Sequence, residues 1–171
     1  MVLDPTQKRL VLDRTDEMVA RAASGFRLTL QTPDIQFDLK GRAAGMFRVR
    51  GAIPEIRYNP WIFARWFDEN LAETVPHEVA HYVVYSRYRR RVRPHGAEWR
   101  EVMELFGVPP RVTCNYRSED IADLPGRRLR YFDYACQCTT HRVSSIRHNR
   151  MIAGKAGYLC RRCHGPLHHI G

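Results

Sequence analysis

The sequence predicts an α+β fold in two parts: a domain over about residues 1–126, with a small antiparallel sheet beside helices, and a basic appendage over about residues 127–171. Three observations predict this arrangement. Apolar and polar residues alternate between about residues 26 and 58, which is typical of short strands. Helical periodicity precedes and follows that segment. Beyond residue 130 the chain has little apolar material but two pairs of cysteines, so this part needs a staple, that is, a metal ion or another crosslink, to fold.

The elements of the first part follow from these patterns in order. An N-terminal helix is predicted over Pro5–Ala23, where apolar residues recur among charges. Three or four short strands follow, and Asn59-Pro60 ends them because proline cannot donate to a strand ladder. The apolar positions of these strands are Phe26, Leu28 and Leu30, then Ile35, Phe37 and Leu39, then Met46 and Val49.

Two helical regions complete the first part. One begins at Trp61 and continues towards Tyr88, with Pro76 inside it. Pro76 either opens a new helix after a Thr74 cap or kinks a longer one, and the sequence favours neither. The other region, from about Ala97 to Phe106, ends at a glycine that is followed by prolines.

Composition excludes several classes of protein. A chain with 44% hydrophobic and 27% charged residues is neither disordered, collagen-like nor a coiled coil as a whole. No stretch approaches the roughly 18 continuous apolar residues of a membrane span, and the first residues lack the layout of a secretion signal. We therefore expect a soluble cytoplasmic protein, associated with the nucleoid if it is bacterial, without a membrane partner or a small-molecule cofactor.

Charge points to a polyanionic partner. The formal net charge is +10, and 25 of the 28 basic residues are arginine. Residues 127–171 contain nine basic residues and one acidic residue, Asp133, and so carry +8 of that charge. A field of this sign attracts nucleic acid, although it also suits an acidic protein partner.

The strongest motif is His77-Glu78-Val79-Ala80-His81, an H-E-x-x-H. Residues four apart lie on one face of a helix, so both imidazoles can bind one zinc ion. Glu78 is placed to take a proton from a water that attacks a carbonyl, as in metal-dependent peptidases. The valines that follow supply the apolar face such a helix buries.

A catalytic zinc needs a third protein ligand and an open position. Glu101 follows His81 by 20 positions, the spacing at which thermolysin-like enzymes supply a glutamate. His95 follows His81 by 14 positions and lies just ahead of the next helix. Both are candidates from spacing alone.

The C-terminal cysteines have the form of a second, structural zinc site. Cys136 and Cys138 precede Cys160 and Cys163, and the second pair has the C-x-x-C spacing of a zinc knuckle. The first pair is tighter than usual, so His141 is an alternative ligand. Cys114 lies apart and is expected to be buried.

Basic residues surround these cysteines, with tyrosines and a phenylalanine between them. Arginine for phosphates and aromatic rings for stacking suit single-stranded nucleic acid, although the rings could equally form the core of this small part. The candidate contacts are Arg142, Arg147, His148, Arg150, Lys155, Arg161 and Arg162. A second basic run, which either lines a groove or caps a solvated helix end, comprises Arg87, Arg89, Arg90, Arg91 and Arg93.

These motifs together resemble the SprT-like metallopeptidases, the family that includes Spartan. The resemblance covers nearly the whole chain from about Gly25, with the motifs in the family's order. It is carried by Pro76–His81, Pro94–Trp99, Gly41–Gly45, Ile56–Pro60, Arg147–Arg150 and the cysteine pairs.

The resemblance implies a zincin-like metallopeptidase domain with a C-terminal zinc ribbon. It implies His95 as the third ligand, a small C-terminal zinc-binding ribbon, and proteolysis of DNA-bound or DNA-crosslinked proteins. For the ligands of the ribbon we favour the four cysteines over a set that includes His141. Catalytic and structural zinc would be the cofactors, and DNA with single-stranded character and its bound proteins would be the partners. The rival interpretation is a non-enzymatic DNA-binding protein with a structural zinc site, against which Glu78 argues.

Overall fold

The computed structural model describes residues 2–89, 92–112, 116–117, 119–125 and 130–171. Two compact units divide the chain, Met1–Gly126 and Arg127–Gly171, and the residues next to that junction, 126–129, lie outside the described part. Helices are mixed with two small three-stranded sheets, so the prediction of an α+β fold is confirmed at that level. Among the described residues, no helix has both the length and the apolar character needed to cross a bilayer.

The first unit opens with helix α1, Pro5–Phe26. Asp4 caps it, because its side chain accepts from the Gln7 backbone at 2.8 Å while the Gln7 side chain accepts from the Asp4 backbone at 3.2 Å. The helix ends at Arg27, whose φ of 52° is left-handed. It therefore runs three residues beyond the predicted end, and its buried face consists of Val11, Thr15, Met18, Val19 and Ala22.

The strand expected around Leu28 and Leu30 is absent from the described residues. These side chains, with Phe26, are partly buried against the core without belonging to a ladder. An extended segment buries alternate residues whether or not a strand pairs with it, so the alternation alone was misleading.

The sheet of this unit consists of β1 (Asp34–Gln36), β2 (Gly45–Arg50) and β3 (Ile53–Tyr58), in the order β1-β3-β2. β2 and β3 form an antiparallel hairpin around Gly51, whose φ is +64°. β1 pairs with β3 in parallel, which corrects the prediction of an antiparallel sheet. After β1 the chain crosses to the other side of the sheet and forms β2, and the hairpin then returns it as β3 between the two. β2 is therefore an edge strand.

The helices after the sheet begin at Asn59, whose side-chain oxygen accepts from the backbone of Trp61 and Ile62. In order they are α2 (Pro60–Arg65), α3 (Phe67–Glu69), a π-helical turn (Asn70–Thr74), α4 (Val75–Tyr88) and α5 (Ala97–Leu105). The last ends at Gly107, with φ of +67°.

The π turn decides the question that Pro76 raised. Thr74 has helical dihedral angles and makes no capping bond, so the helical run continues through Pro76 without a fresh start. Asn70 is fully buried, and its side chain stabilises the π turn. It donates to the Trp66 carbonyl at 2.7 Å and accepts from the Thr74 hydroxyl at 2.7 Å. The wider turn suits a residue that has no N–H to donate.

Helix α4 lies at the centre of the first unit. It contacts α1, α5, β2 and β3, so both faces of the helix are covered by protein. Its buried side chains are Val75, Pro76, Glu78, Val79, Ala80, Tyr82, Val83 and Val84. The H-E-x-x-H motif is therefore carried by the most enclosed helix of the unit.

The second unit has a sheet of order β5-β4-β6 and one short helix. Its elements are β4 (Tyr131–Ala135), β5 (Thr140–Ser144), α6 (Ser145–Ile152) and β6 (His168–His169). Its buried residues among those described are Tyr134, Val143 and Cys160. So small a core agrees with the expectation that this part needs a staple.

Candidate metal centres

Three histidines meet at one point in the first unit. The Nε2 atoms of His77 and His81 lie 3.2 Å apart, and that of His95 lies 3.1 Å and 2.9 Å from them. Each of these nitrogens is either a hydrogen-bond donor or an acceptor. At least one of the three contacts must therefore join two donors or two acceptors, which cannot form a hydrogen bond. Three nitrogens bound to one tetrahedral zinc at about 2.05 Å would lie about 3.4 Å apart. The donor set therefore fits a zinc ion with one position left open.

Two different local structures supply these ligands. His77 and His81 project from successive turns of α4, as their spacing predicts. His95 comes from a tight turn in which the Gly96 N–H donates to the Arg93 carbonyl at 3.1 Å. Pro94 sits at the first central position and His95, with φ of +56°, at the second, the pattern of a type II turn. Left-handed backbone at a non-glycine residue costs about 1 kcal/mol, and such strain is concentrated at functional sites.

Trp99 forms the wall behind the three rings. It is fully buried on α5, with ring centres 4.8 Å from those of His77 and His95 and 5.8 Å from that of His81. Its Nε1 donates to the His77 carbonyl at 3.3 Å. Glu101, the rival third ligand, lies elsewhere: its carboxylate pairs with Arg87 at 3.2 Å.

Burial keeps these imidazoles neutral. It lowers the pKa of His77 to about 4 and that of His81 to about 3, and the neighbouring histidines act in the same direction. Burial also lowers the pKa of His95. Neutral imidazole is the form that binds a metal ion, so the cluster is ready for one at neutral pH.

Glu78 is enclosed between α4 and the edge strand β2. Its side chain is only 6% exposed, and its Oε2 accepts from the Phe47 backbone N–H at 2.7 Å. Burial raises the pKa of Glu78 to about 8, while the bond from Phe47 acts in the opposite direction. A Cβ at Gly45 would lie 2.6 to 2.9 Å from Glu78 side-chain atoms, so this glycine makes room for the carboxylate.

The register of the hairpin explains why Phe47 is free to donate. Val49 lies opposite Pro54, which has no N–H and so cannot exchange two hydrogen bonds with it. Val49 and Pro54 are therefore a non-hydrogen-bonded pair of the ladder. Such pairs alternate along an antiparallel ladder, so the backbones of Gly45, Phe47 and Val49 point away from β3. Together they form the open edge of the sheet, and Glu78 occupies one of its donors.

Two cavities flank the three histidines along this edge. One, of about 400 Å³, reaches His77 and Glu78 beside Gly45 at the start of β2. The other, of about 460 Å³, reaches His81 and His95 beside Val49 towards the end of β2. A chain extended along β2 would therefore pass both cavities, with the histidines between them.

Asn59 holds the loop that leads into β2. It is fully buried, and its side-chain nitrogen donates to the carbonyls of Gly41 and Ala43, both at 3.1 Å. The same side chain caps α2, so one residue ties the loop to the start of the helices. This loop lines the cavity beside Glu78.

The four C-terminal cysteines meet in the second unit. Their Sγ atoms all lie within 4.8 Å of one another, with Cys136–Cys138 at 3.5 Å and Cys138–Cys160 at 3.7 Å. A tetrahedral zinc with Zn–S bonds of about 2.3 Å would set its sulfurs about 3.8 Å apart. The cysteine set therefore fits a structural zinc.

The surroundings of Cys136 favour its thiolate, whereas the neighbouring side chain of Cys136 raises the pKa of Cys138. The pKa of Cys136 is lowered by the backbone N–H of Cys138 and by the side chain of His141. His141 Nε2 lies 3.3 Å from the Cys136 sulfur, so the alternative ligand touches the cluster. The Arg162 N–H donates to the Cys160 sulfur at 3.4 Å, as in a knuckle. Cys114 lies outside the described residues.

Six of the seven predicted nucleic-acid contacts are exposed on the second unit: Arg142, Arg147, Arg150, Lys155, Arg161 and Arg162. Two of them lie over aromatic rings, Arg142 over Tyr131 at 5.0 Å and Arg147 over Tyr158 at 5.4 Å.

The seventh, His148, is half-buried and packs against aromatic side chains of the unit. Its ring stacks on Phe132 at 3.6 Å, and its Nδ1 lies 3.0 Å from the Tyr134 hydroxyl. Phe132 and Tyr134 are therefore core residues, whereas Tyr131 is 49% exposed.

The second basic run divides between two roles. The Arg87 guanidinium pairs with Glu101 and lies over the Phe26 ring at 4.4 Å, so it belongs to the helix surface. Arg89 and Arg93 line the cavity beside His81 and His95. Arg90 and Arg91 lie outside the described residues.

Sequence reasoning missed the roles of Gly45, Phe47, Asn59 and Trp99. Three of them lie in segments that carry the family resemblance, but their residue types do not reveal a role. Phe47 acts through its backbone, which leaves no mark in a sequence.

Comparison with known proteins shows to which family the chain is similar. The SprT-like family model matches residues 13–117. The protein named Protein SprT from Vibrio parahaemolyticus is 36% identical over 156 residues, which cover 91% of this chain and 89% of that one. The proteins of the same name from Shewanella oneidensis and Vibrio atlanticus are 32% and 36% identical, over 92% and 100% of this chain and 96% and 98% of theirs. No solved structure matches the chain.

Proposed function

This chain belongs to the SprT-like family, and from that premise we propose that it is a zinc-dependent metalloendopeptidase that acts on proteins bound or crosslinked to DNA. The observation that carries the proposal is the triangle of three Nε2 atoms, together with the buried carboxyl group of Glu78, which lines one cavity with His77. A metal site and a proton carrier at one point are what hydrolysis of an amide requires.

His77, His81 and His95 would hold the catalytic zinc, leaving one position open. When bound there, zinc supplies Lewis acidity, which polarises a substrate carbonyl and makes water a stronger acid. The Trp99 wall and the type II turn keep the three rings in place, so the site is formed before any substrate binds.

Glu78 carries the proton. Its Oε2 accepts from the Phe47 N–H, so Oε1 is the oxygen left to take the proton from the attacking water. Burial alone would keep this carboxyl group largely protonated near pH 7, so the role requires the positive charge of a bound zinc ion, which would favour the ionised form. The same oxygen then returns the proton to the nitrogen of the leaving amine as the peptide bond breaks. Burying a carboxyl group costs folding free energy. A purely structural metal site would gain nothing from this buried group, so its presence favours a catalytic role for Glu78.

The substrate would lie extended along the open edge of β2. The carbonyl of Phe47 and both backbone groups of Val49 point outwards there, and an added strand can pair with them. Such pairing reads backbone rather than side chains, which suits an enzyme that must accept many proteins.

The second unit would bind DNA with single-stranded character. Its charge of +8, the six exposed cations and the two arginines lying over tyrosine rings support this role. A structural zinc held by Cys136, Cys138, Cys160 and Cys163 would fold the unit, with His141 as a hydrogen-bond partner of Cys136. Since the relatives are bacterial proteins, this role implies a place at the nucleoid.

The test is cleavage of a DNA-binding protein by the zinc-loaded chain and by its Glu78→Gln variant, with and without single-stranded DNA. We expect the wild-type chain to cut, faster with DNA, and the variant to keep its zinc but lose activity by about a thousandfold or more. A wild-type chain that binds two zinc ions and cuts nothing would instead favour the non-enzymatic interpretation.

A further inference from the structure

The two cavities beside the histidines differ in charge. The cavity at Gly45 is lined by Glu69, Glu73 and Glu78 as well as by two arginines. The cavity at Val49 has no carboxylate among its described lining residues, yet three arginines line it: Arg48, Arg89 and Arg93. The site is therefore electrostatically asymmetric along the path of the substrate.

One of the three arginines is already neutralised. The Arg48 guanidinium lies 2.5 Å from the carboxylate of Glu55, which is buried beneath it. Within the part of the chain that the structure describes, no ion pair joins a carboxylate to Arg89 or to Arg93. Arg89 lies over the Tyr85 ring at 5.2 Å, a contact that orients the guanidinium but leaves its charge.

The Arg93 backbone is held in the turn that supplies a zinc ligand. Arg93 is the first residue of the type II turn, and its carbonyl accepts from Gly96. The start of this side chain is therefore fixed relative to His95, two residues later. An anion bound by Arg93 would lie at a defined place beside the metal centre.

The remaining lining suits the stem of a side chain. Val84 and Trp99 are buried and form part of the wall of the same cavity. A cavity of about 460 Å³ with an apolar wall and two free guanidinium groups matches a carboxylate on a short aliphatic stem. A nucleic-acid strand would need a continuous track of cations, whereas these two belong to one concave pocket.

We propose that this cavity is a subsite for an acidic side chain, so that the enzyme cleaves next to aspartate or glutamate. The proposal rests on the proposed peptidase function and adds the preferred substrate. Since β2 passes both cavities, the acidic residue occupies one fixed side of the scissile bond. With a strand rise of about 3.3 Å per residue, it lies within about two residues of that bond.

The test uses a peptide series in which glutamate, glutamine or lysine is placed in turn at each of the two residues on either side of one cleavage site. We expect the glutamate peptide to be cleaved with a kcat/KM about ten- to hundredfold above that of the glutamine peptide at one position, and lysine there to be worst. Arg93→Gln and Arg89→Gln should each reduce this preference, and Arg93→Glu should turn it towards lysine. Arg100→Gln, an exposed arginine on α5 that does not line the cavity, should keep the preference.

Binding of the same peptides to the zinc-loaded Glu78→Gln chain, measured by calorimetry, separates this proposal from the peptidase function. Tighter binding of the glutamate peptide without cleavage by the wild-type chain would support the subsite and overturn the peptidase. Cleavage of glutamate and glutamine peptides at equal rates at every position would overturn the subsite and leave the peptidase. Equal binding of both peptides, or a preference that survives in both arginine variants, would also overturn the subsite.

Discussion

At the scale of single residues, the site depends on a missing side chain. Gly45 has an ordinary φ, so glycine is not needed there for its backbone conformation. It is needed because the side chain of Glu78 fills the volume that a Cβ would occupy. The adjoining backbone N–H of Phe47 then fixes one oxygen of that carboxyl group. Glycine here sets the position of a side chain on another element.

We expect Gly45→Ala to displace Glu78 and to lower kcat by about 100-fold, because misplacement of a catalytic group by about 1 Å has this effect. The three atoms nearest to the added Cβ all belong to Glu78 and none to a histidine, so the bound zinc should stay the same. Activity and zinc content measured together check this. Gly157→Ala is the matched control, since an added Cβ there meets nothing within 4 Å, and equal activity in both variants would contradict the role of Gly45.

The lowered pKa values of the histidines give a second prediction at this scale. His77 and His81 titrate near pH 4 and pH 3 in the folded chain, against about 6.5 for free imidazole. At His77 and His81, protons therefore begin to compete with zinc only as the pH falls towards about 4. Burial lowers the pKa of His95 as well, so zinc affinity should fall less between pH 7.5 and 5.5 than it would for three free imidazoles. Competition with a chelator of known pH dependence measures it. A steep loss that begins near pH 6.5 would show that burial does not protect these rings.

At the scale of elements, local spacing was more informative than pairing. The i, i+4 rule places His77 and His81 together whatever the rest of the chain does, and the cysteine pairs meet as their spacing predicts. The parallel pairing of β1 and the π turn at Asn70 depend on contacts between distant residues, which no local pattern contains. For the same reason the bond from Phe47 to Glu78, 31 positions apart, could not be predicted.

The second unit should fold only with its metal, because its described buried residues are three and zinc-finger peptides gain about 10 kcal/mol or more from zinc. Chelation, or Cys160→Ser, should raise amide hydrogen exchange throughout residues 130–171 and leave α1 and α4 protected.

His141→Ala serves as the control for this prediction, since four sulfurs suffice for the ion and the variant should keep it. Loss of the metal in that variant would make His141 a ligand. If the amides of residues 130–171 stayed protected from exchange without metal, the unit would fold without zinc and the prediction would be wrong.

At the scale of the whole molecule, charge is divided between the two units. The first 126 residues are nearly balanced, whereas the last 45 carry +8 of the total +10. On the proposed function, this division would let the second unit bring the first to DNA without a strong positive field over the first unit.

Salt dependence of DNA binding tests that division. Each neutralised phosphate of single-stranded DNA contributes about 0.7 to the slope of log K against log salt concentration, so Arg161→Gln with Arg162→Gln should reduce the slope by about 1.4. Binding to a fluorescent oligonucleotide at several salt concentrations measures it. Arg21→Gln with Arg100→Gln removes the same charge from the first unit and should leave the slope unchanged. An equal change in both double variants would mean that net charge alone governs binding.

The double use of β2 limits how this protein can evolve. On the proposed function, one strand would offer its outer edge to a substrate chain, and its Phe47 main-chain amide also holds the carboxyl group of Glu78. Substitutions alter side chains and leave that amide in place, unless the new residue at position 47 is proline. The other side chains that line the two cavities can therefore change and bring new preferences, while the strand between the cavities keeps its geometry.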